Sequence, residues 1–181
     1  MSVGRFDNWH QECEEYVNRQ IALEYTASLQ YHALSSYFDH DTVGLKNIAK
    51  FFNHCSLEER EHADSLVAYQ NKRGGRAIIS PVNEINNNFY NPAIEESDLL
   101  QAFRYALDME QKVYKSLLTL HSLGEKTGDP ALTDFIEGEY LKEQIDAINE
   151  LSVYVSQLAR IGRDGHGLWD FDNRFKLPES S

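Results

Sequence analysis

Four segments of this chain repeat apolar residues at steps of three and four, and each stripe is broken near its middle by a strongly polar side chain. The first reads Cys13, Val17, Gln20, Glu24, Ala27, Tyr31, Leu34, Phe38. The second reads Ile48, Phe52, Cys55, Glu59, His62, Leu66, Tyr69. The third gives Phe103, Ala106, Glu110, Val113, Leu117, Leu120, and the fourth Leu141, Gln144, Ile148, Leu151, Val155, Leu158. Such spacing follows one face of an α-helix. A carboxylate on that face points into a core. Unpaired burial is strongly unfavourable, so a positive partner must meet it there. Three glutamates, one histidine and one glutamine converging inside a four-helix bundle read as a metal site.

The chain has 181 residues, enough for one domain with a sizeable core, and residues 1–181 are read as that single domain. It is 41% hydrophobic without a long apolar run, so no transmembrane span and no membrane partner are expected. Its start, Met1-Ser-Val-Gly-Arg-Phe-Asp-Asn-Trp9, lacks the apolar segment of a secretory signal, and a cytoplasmic protein is the expectation. The net charge is −12, from 29 acidic and 17 basic residues. That balance repels nucleic acid and suits cations. Cys13 and Cys55 fall on the stripes of different helices and read as small core residues rather than a disulfide or a metal pair.

The expected elements are helices over about 8–38, 45–73, 98–127 and 131–162, plus a short one over 167–175. Asp7 or Asn8 is a suitable first cap. The segment from Gly74 to Ser97 carries Pro81, Pro92 and Asn86-Asn87-Asn88, all poor in a helix interior. About 20 extended residues reach roughly 65 Å, whereas a helix of about 28 residues is about 42 Å long. This segment can therefore run the length of the bundle and let the second and third helices be parallel. The other connections are short and favour antiparallel neighbours. The fold class expected is all-α, a four-helix bundle with one long crossover and a short fifth helix.

Glu59-Arg-Glu-His62 is an E-x-x-H motif, which on a helix brings one carboxylate and one imidazole to the same side. Alone the motif is weak. Its position on a core stripe, with Glu24 and Glu110 centred on two others, makes it specific. The alternative is a buried hydrogen-bond network without metal. In di-iron carboxylate bundles two helices each give a lone Glu and two each give E-x-x-H. Here the fourth helix offers Gln144 and Ala147 instead. The two positions are then unequal: Glu24, Glu59 and His62 for the first, and Glu59 as a bridge, Glu110 and Glu58 or Gln144 for the second. A weak second position suits iron as a substrate that is released. Glu and His suit Fe(II) and Fe(III), and also Zn(II) or Mn(II). Tyr31, two turns after Glu24, is placed to hydrogen-bond a ligand or donate an electron, or is an ordinary core tyrosine.

Asn18-Arg-Gln-Ile-Ala-Leu-Glu24, Tyr37-Phe-Asp39, Leu45-Lys-Asn47, Glu58-Glu-Arg-Glu-His-Ala63, Gly74-Gly-Arg76, Ser116-Leu-Leu118, Asp134-Phe-Ile-Glu137 and Tyr140-Leu-Lys-Glu-Gln144 occur in this order. Together they resemble a eukaryotic ferritin subunit of the catalytic, heavy-chain type, over roughly residues 8–168. The resemblance implies a ferritin-like four-helix bundle whose subunits form a hollow shell of twenty-four. It implies a ferroxidase centre of Glu24, Glu59, His62, Glu110 and Gln144, with Glu58 and Tyr31 close by. Two irons per subunit would be oxidised there by dioxygen, as substrate. It also implies mineral nucleation on the ridge Glu58, Glu61, Asp64, and iron inlet channels lined by Asp134 and Glu137 with His121 on the approach. Co-assembly with other ferritin subunits stays open.

The chain departs from that pattern in places. The crossover is longer than usual, Gly138 sits in the fourth helix, and Thr133 stands where some relatives carry Cys. If the fifth helix pairs without a gap, Asp172 and Lys176 fall near the four-fold axis. A DNA-protecting mini-ferritin is disfavoured by the −12 charge. A di-iron oxidase is disfavoured by the missing second E-x-x-H, and a structural shell subunit by the intact ligand set.

Overall fold

Helix geometry turns the stripes into a bundle, seen in the computed structural model, which describes residues 4–80 and 84–175. Pro81 and Lys176 lie outside the described residues. The first three rods are α1 (Gln11–Asp39), α2 (Lys46–Lys72) and α3 (Asp98–Thr127). The fourth is continuous but in three pieces: α4 (Pro130–Ile136), a π-helical segment (Glu137–Leu141) and α5 (Lys142–Ile161). The short α6 is Gly165–Arg174.

The ends have local causes. Ser97 accepts from the Leu100 amide at 3.1 Å and starts α3, and Gly128 in the left-handed region ends it. Asp129 accepts from the Leu132 amide at 3.1 Å, with Pro130 in the first turn of α4. The first helix starts at Gln11, later than expected, and neither Asp7 nor Asn8 caps it. Residues before it are held elsewhere: Trp9 is buried, the Phe6 amide reaches Arg73 O, and Asn8 accepts from the Arg73 guanidinium. Gly74, at φ 75°, lets this segment pass, because a Cβ there would lie 2.4 Å from Arg5 Cα.

The fourth rod was expected as one α-helix. Its buried residues Leu132, Ile136, Tyr140 and Gln144 instead follow three steps of four. In a straight α-helix each such step drifts about 40°. The wider π turn absorbs the drift and keeps all four on one face. Gly138 lies within it.

The crossover climbs along α1. Asn18 holds Arg76 O at 3.1 Å and the Ile78 amide at 2.9 Å. Higher up, the buried Gln30 clamps Asn86 by both its amide and its carbonyl, at 2.8 and 2.9 Å. Gln101 does the same for Asn91, at 2.8 and 3.1 Å. Tyr37, near the end of α1, donates to Asp98 at the start of α3, so α2 and α3 run parallel.

Apolar packing falls into two clusters. One holds Phe38, Phe51, Phe52, Phe103 and Leu158. The other holds Trp9, Val17, Leu66, Leu120 and Ile136. Glu24, Glu59, Glu110 and Gln144 are all buried, each between one cluster's residues and the other's along its own helix.

In the fifth helix Asp172 is paired within its own chain. Asp172 does not offer a free charge for an axis. It is buried, and its carboxylate accepts from the Asn47 and Ile48 amides at 3.0 and 2.9 Å. Leu45, the residue before α2, has no capping side chain, so Asp172 caps α2 from the far end of the chain.

Candidate metal centre

The ligand-type side chains come from all four rods, with two of them on α2. Glu24 on α1 is fully buried, and Gln20, one turn earlier, donates to its Oε1 at 2.7 Å. Ser116 on α3 in turn donates to Gln20 at 2.5 Å. Glu59 and His62 on α2 present an oxygen and Nδ1 that lie 3.8 Å apart. One ligand atom each from Glu24, Glu59 and His62 lie within 4.8 Å of one another. Tyr31 and Gln144 both donate to the Glu110 carboxylate, one to each oxygen.

The two halves of the centre therefore differ. Both Glu110 oxygens are engaged, whereas Glu24 Oε2 and Glu59 Oε2 are buried without a hydrogen-bond partner among the described residues. Buried polar atoms of native proteins are almost always satisfied. Two orphan carboxylate oxygens on residues clustered with an imidazole fit a cation, and the oxygen and nitrogen donors suit iron, zinc or manganese.

The electrostatics agree. Burial, and next the charge of Glu59, push Glu24 well above the usual carboxylate range. Burial, and next the charge of Glu110, push Glu59 up as well. Glu110 is raised by burial, against the hydrogen bonds of Tyr31 and Gln144. Burial lowers His62, but Glu143, Glu59 and Glu24 outweigh it and raise the imidazole to about 11. Without metal, one imidazolium is shared by crowded carboxyls.

The other expected residues are placed as follows. Glu58 is half exposed and lies 3.1 Å from His54 Nε2, apart from the cluster of Glu24, Glu59 and His62. Glu61 and Asp64 are exposed, and Tyr25 donates to Asp64 at 2.7 Å. His121 and Glu137 come together at 2.5 Å, while Asp134 lies exposed on α4. Two residues escaped sequence reasoning. Glu143 faces His62 Nε2 at 3.4 Å, and the Tyr140 hydroxyl donates to His62 O at 2.9 Å. Tyr140 lies inside the π turn, one residue ahead of the Leu141–Gln144 stripe, and Glu143 lies off that stripe and half exposed.

A family model described as a ferritin-like domain matches residues 14–161. The chain is 48% identical to "Ferritin-1, chloroplastic" of Pisum sativum, over 96% of this chain and 67% of the relative. It is 47% identical to "Ferritin, chloroplastic" of Malus baccata var. xiaojinensis, over 96% and 68%. It is 52% identical to "Ferritin-3, chloroplastic" of Arabidopsis thaliana, over 89% and 61%. The chain belongs to the ferritin family. Its match spans between 61% and 68% of the length of these ferritins.

These ferritins correct the cytoplasmic expectation, because all three are named chloroplastic. An apolar leader is a mark of secretion alone, since plastid transit segments are Ser- and Arg-rich rather than apolar. Among the described residues no helix of this ferritin is long and apolar enough to cross a membrane.

Proposed function

We propose that this chain is a catalytic ferritin subunit of a plastid iron store, which oxidises Fe(II) with dioxygen inside its bundle and passes Fe(III) to a mineral within a shell. The observation that carries this reading is the triplet Glu24, Glu59 and His62, within 4.8 Å, with two orphan carboxylate oxygens. Storage without oxidation would not require buried, partnerless carboxylates in the middle of a core.

In this reading Glu24, Glu59 and His62 hold the first Fe(II). The second uses Glu59 as a bridge together with Glu110, with Gln144 and Glu58 as weak partners. Gln144 must turn from Glu110 to admit it, because both Glu110 oxygens are engaged. Loading is therefore ordered, and the second iron is the loosely held one. Holding two irons close with their charge compensated favours joint electron transfer to dioxygen. Tyr31, hydrogen-bonded to Glu110, is positioned to supply a proton or an electron. Iron is the substrate here, two ions per subunit and turnover.

The rest of the path follows the family's shell of twenty-four subunits. Asp134 and Glu137 with His121 concentrate Fe(II) at an inlet by their negative potential. Glu58, Glu61 and Asp64 receive the product and seed mineral. The site needs one chain only, so a homo-oligomer suffices, and mixed shells remain compatible with it.

The test is aerobic oxidation of Fe(II), two ions per subunit, by the metal-free protein beside the double variant Glu59→Ala, His62→Ala. Rapid oxidation in the parent and slow oxidation in the variant are expected. Equal, slow rates in both would overturn the catalytic reading and leave a passive shell.

A further inference from the structure

The fourth rod does more than complete the donor set. His62 is held from three directions, and two of them come from the edge of the π-helical segment. Its Nδ1 looks toward Glu59, at 3.8 Å from Oε1. Its Nε2 looks the other way, 3.4 Å from Glu143 Oε2. The Tyr140 hydroxyl donates to the His62 carbonyl at 2.9 Å, and the two rings lie 5.4 Å apart at 60°. Tyr140 is 2% exposed, so its ring and hydroxyl are fixed by packing.

We infer that Glu143 and Tyr140 are positioning residues for His62, and that the π turn exists in this chain to aim them. A neutral imidazole carries one N–H. A carboxylate at Nε2 draws that hydrogen to itself and leaves the Nδ1 lone pair toward Glu59 and Glu24. Metal-binding histidines are oriented in this way by an outer acceptor, whose loss costs about 10- to 100-fold in metal affinity. Tyr140 fixes the backbone from which the ring hangs. Removing the extra residue of the π turn would rotate Glu143 by about 100° relative to Leu132 and Ile136. Glu143 would then leave His62 while α4 stayed packed. The inference rests on Glu24, Glu59 and His62 being the metal ligands.

The experiment is anaerobic titration of the assembled, metal-free protein with Co(II) alone, following heat and the visible spectrum. Glu143→Ala is expected to weaken the first Co(II) by about 10- to 100-fold. Glu143→Gln keeps an oxygen that accepts from Nε2–H and is expected to stay close to the parent. In a His62→Ala background, Glu143→Ala is expected to have no further effect, because its action runs through the ring. Should Glu143→Ala fail to assemble, Glu143→Leu carries the same comparison. Equal losses in the Ala and Gln variants, or an undiminished effect without His62, would overturn the inference and leave Glu143 a plain charge. A parent that binds no Co(II) at all would overturn the metal centre itself, a distinct outcome.

Discussion

Asp172 and Ile48 are 124 residues apart and joined by a 2.9 Å hydrogen bond from the Ile48 amide to the Asp172 carboxylate. The same oxygen takes the Asn47 amide, and Asn47 returns a side-chain bond to Asp172 O. The start of α2 and the whole of α6 are thus one joint. Loss of a helix cap costs about 1–2 kcal/mol. Asp172→Ala is expected to lower stability by that amount and to expose the connection at Gly162 to protease. Asp172→Asn keeps an acceptor and is expected to lose much less. Thermal unfolding and limited proteolysis check both, and an Ala variant as stable as the parent would refute the joint.

The opposite end is tied by Arg73 and Asp129, 2.6 Å apart, with side chains only 7% and 0% exposed. The guanidinium also lies 4.6 Å from the centre of the Trp9 ring. Breaking a buried pair leaves an uncompensated charge and costs about 3–5 kcal/mol. Arg73→Ala is expected to cost that much in denaturant unfolding. Arg73→Lys is expected to recover only part, because an ammonium cannot span both Asp129 oxygens.

Gln30 stands in for a strand partner, since its amide pairs both backbone groups of Asn86. Gln30→Leu would orphan those groups at a cost of about 1–3 kcal/mol. Faster cleavage of the crossover is expected, with Fe(II) oxidation unchanged, because the Gln30 side chain bonds to Asn86 and Tyr105 and not to the ligand-type residues. Unaltered cleavage would show that the crossover is held elsewhere.

Glu24 and Glu59 have raised affinities for protons in the folded state, through burial first and neighbouring carboxylates next. The native state therefore keeps protons that the unfolded chain releases. The stabilisation is full below the ordinary carboxylate value of 4.5 and is lost as pH rises through the raised values. His62 acts in the same direction, losing its contribution from 6.5 upward through about 11. Metal-free protein is thus expected to melt lower at about pH 8 than at about pH 5.5. Glu59→Gln, neutral throughout, is expected to flatten that slope and melt higher at the alkaline end. An unchanged slope in Glu59→Gln would refute the assignment.

Periodicity made the bundle legible, because Glu24, Glu59, Glu110 and Gln144 sit on stripes otherwise filled by residues such as Val17, Phe52 and Leu117. A polar side chain on such a face announces itself. Glu143 did not, since it lies half exposed off the stripe and its direction depends on an extra residue in the π turn. The capping role of Asp172 was not legible, because a cap supplied from the other end of the chain leaves no local spacing to find. Gln30 and Gln101 pair with backbone, which carries no residue code. Compartment lay outside this reasoning altogether, as nothing in the packing of a bundle depends on where it is delivered.

The two orphan oxygens, Glu24 Oε2 and Glu59 Oε2, reach beyond catalysis. A divalent ion that fills the space between them binds the folded bundle and not the open chain. Free metal at about a hundredfold above its dissociation constant adds about 2.7 kcal/mol to the folded state. Cargo then governs the lifetime of its carrier. A metal-free subunit is then expected to open before a loaded one.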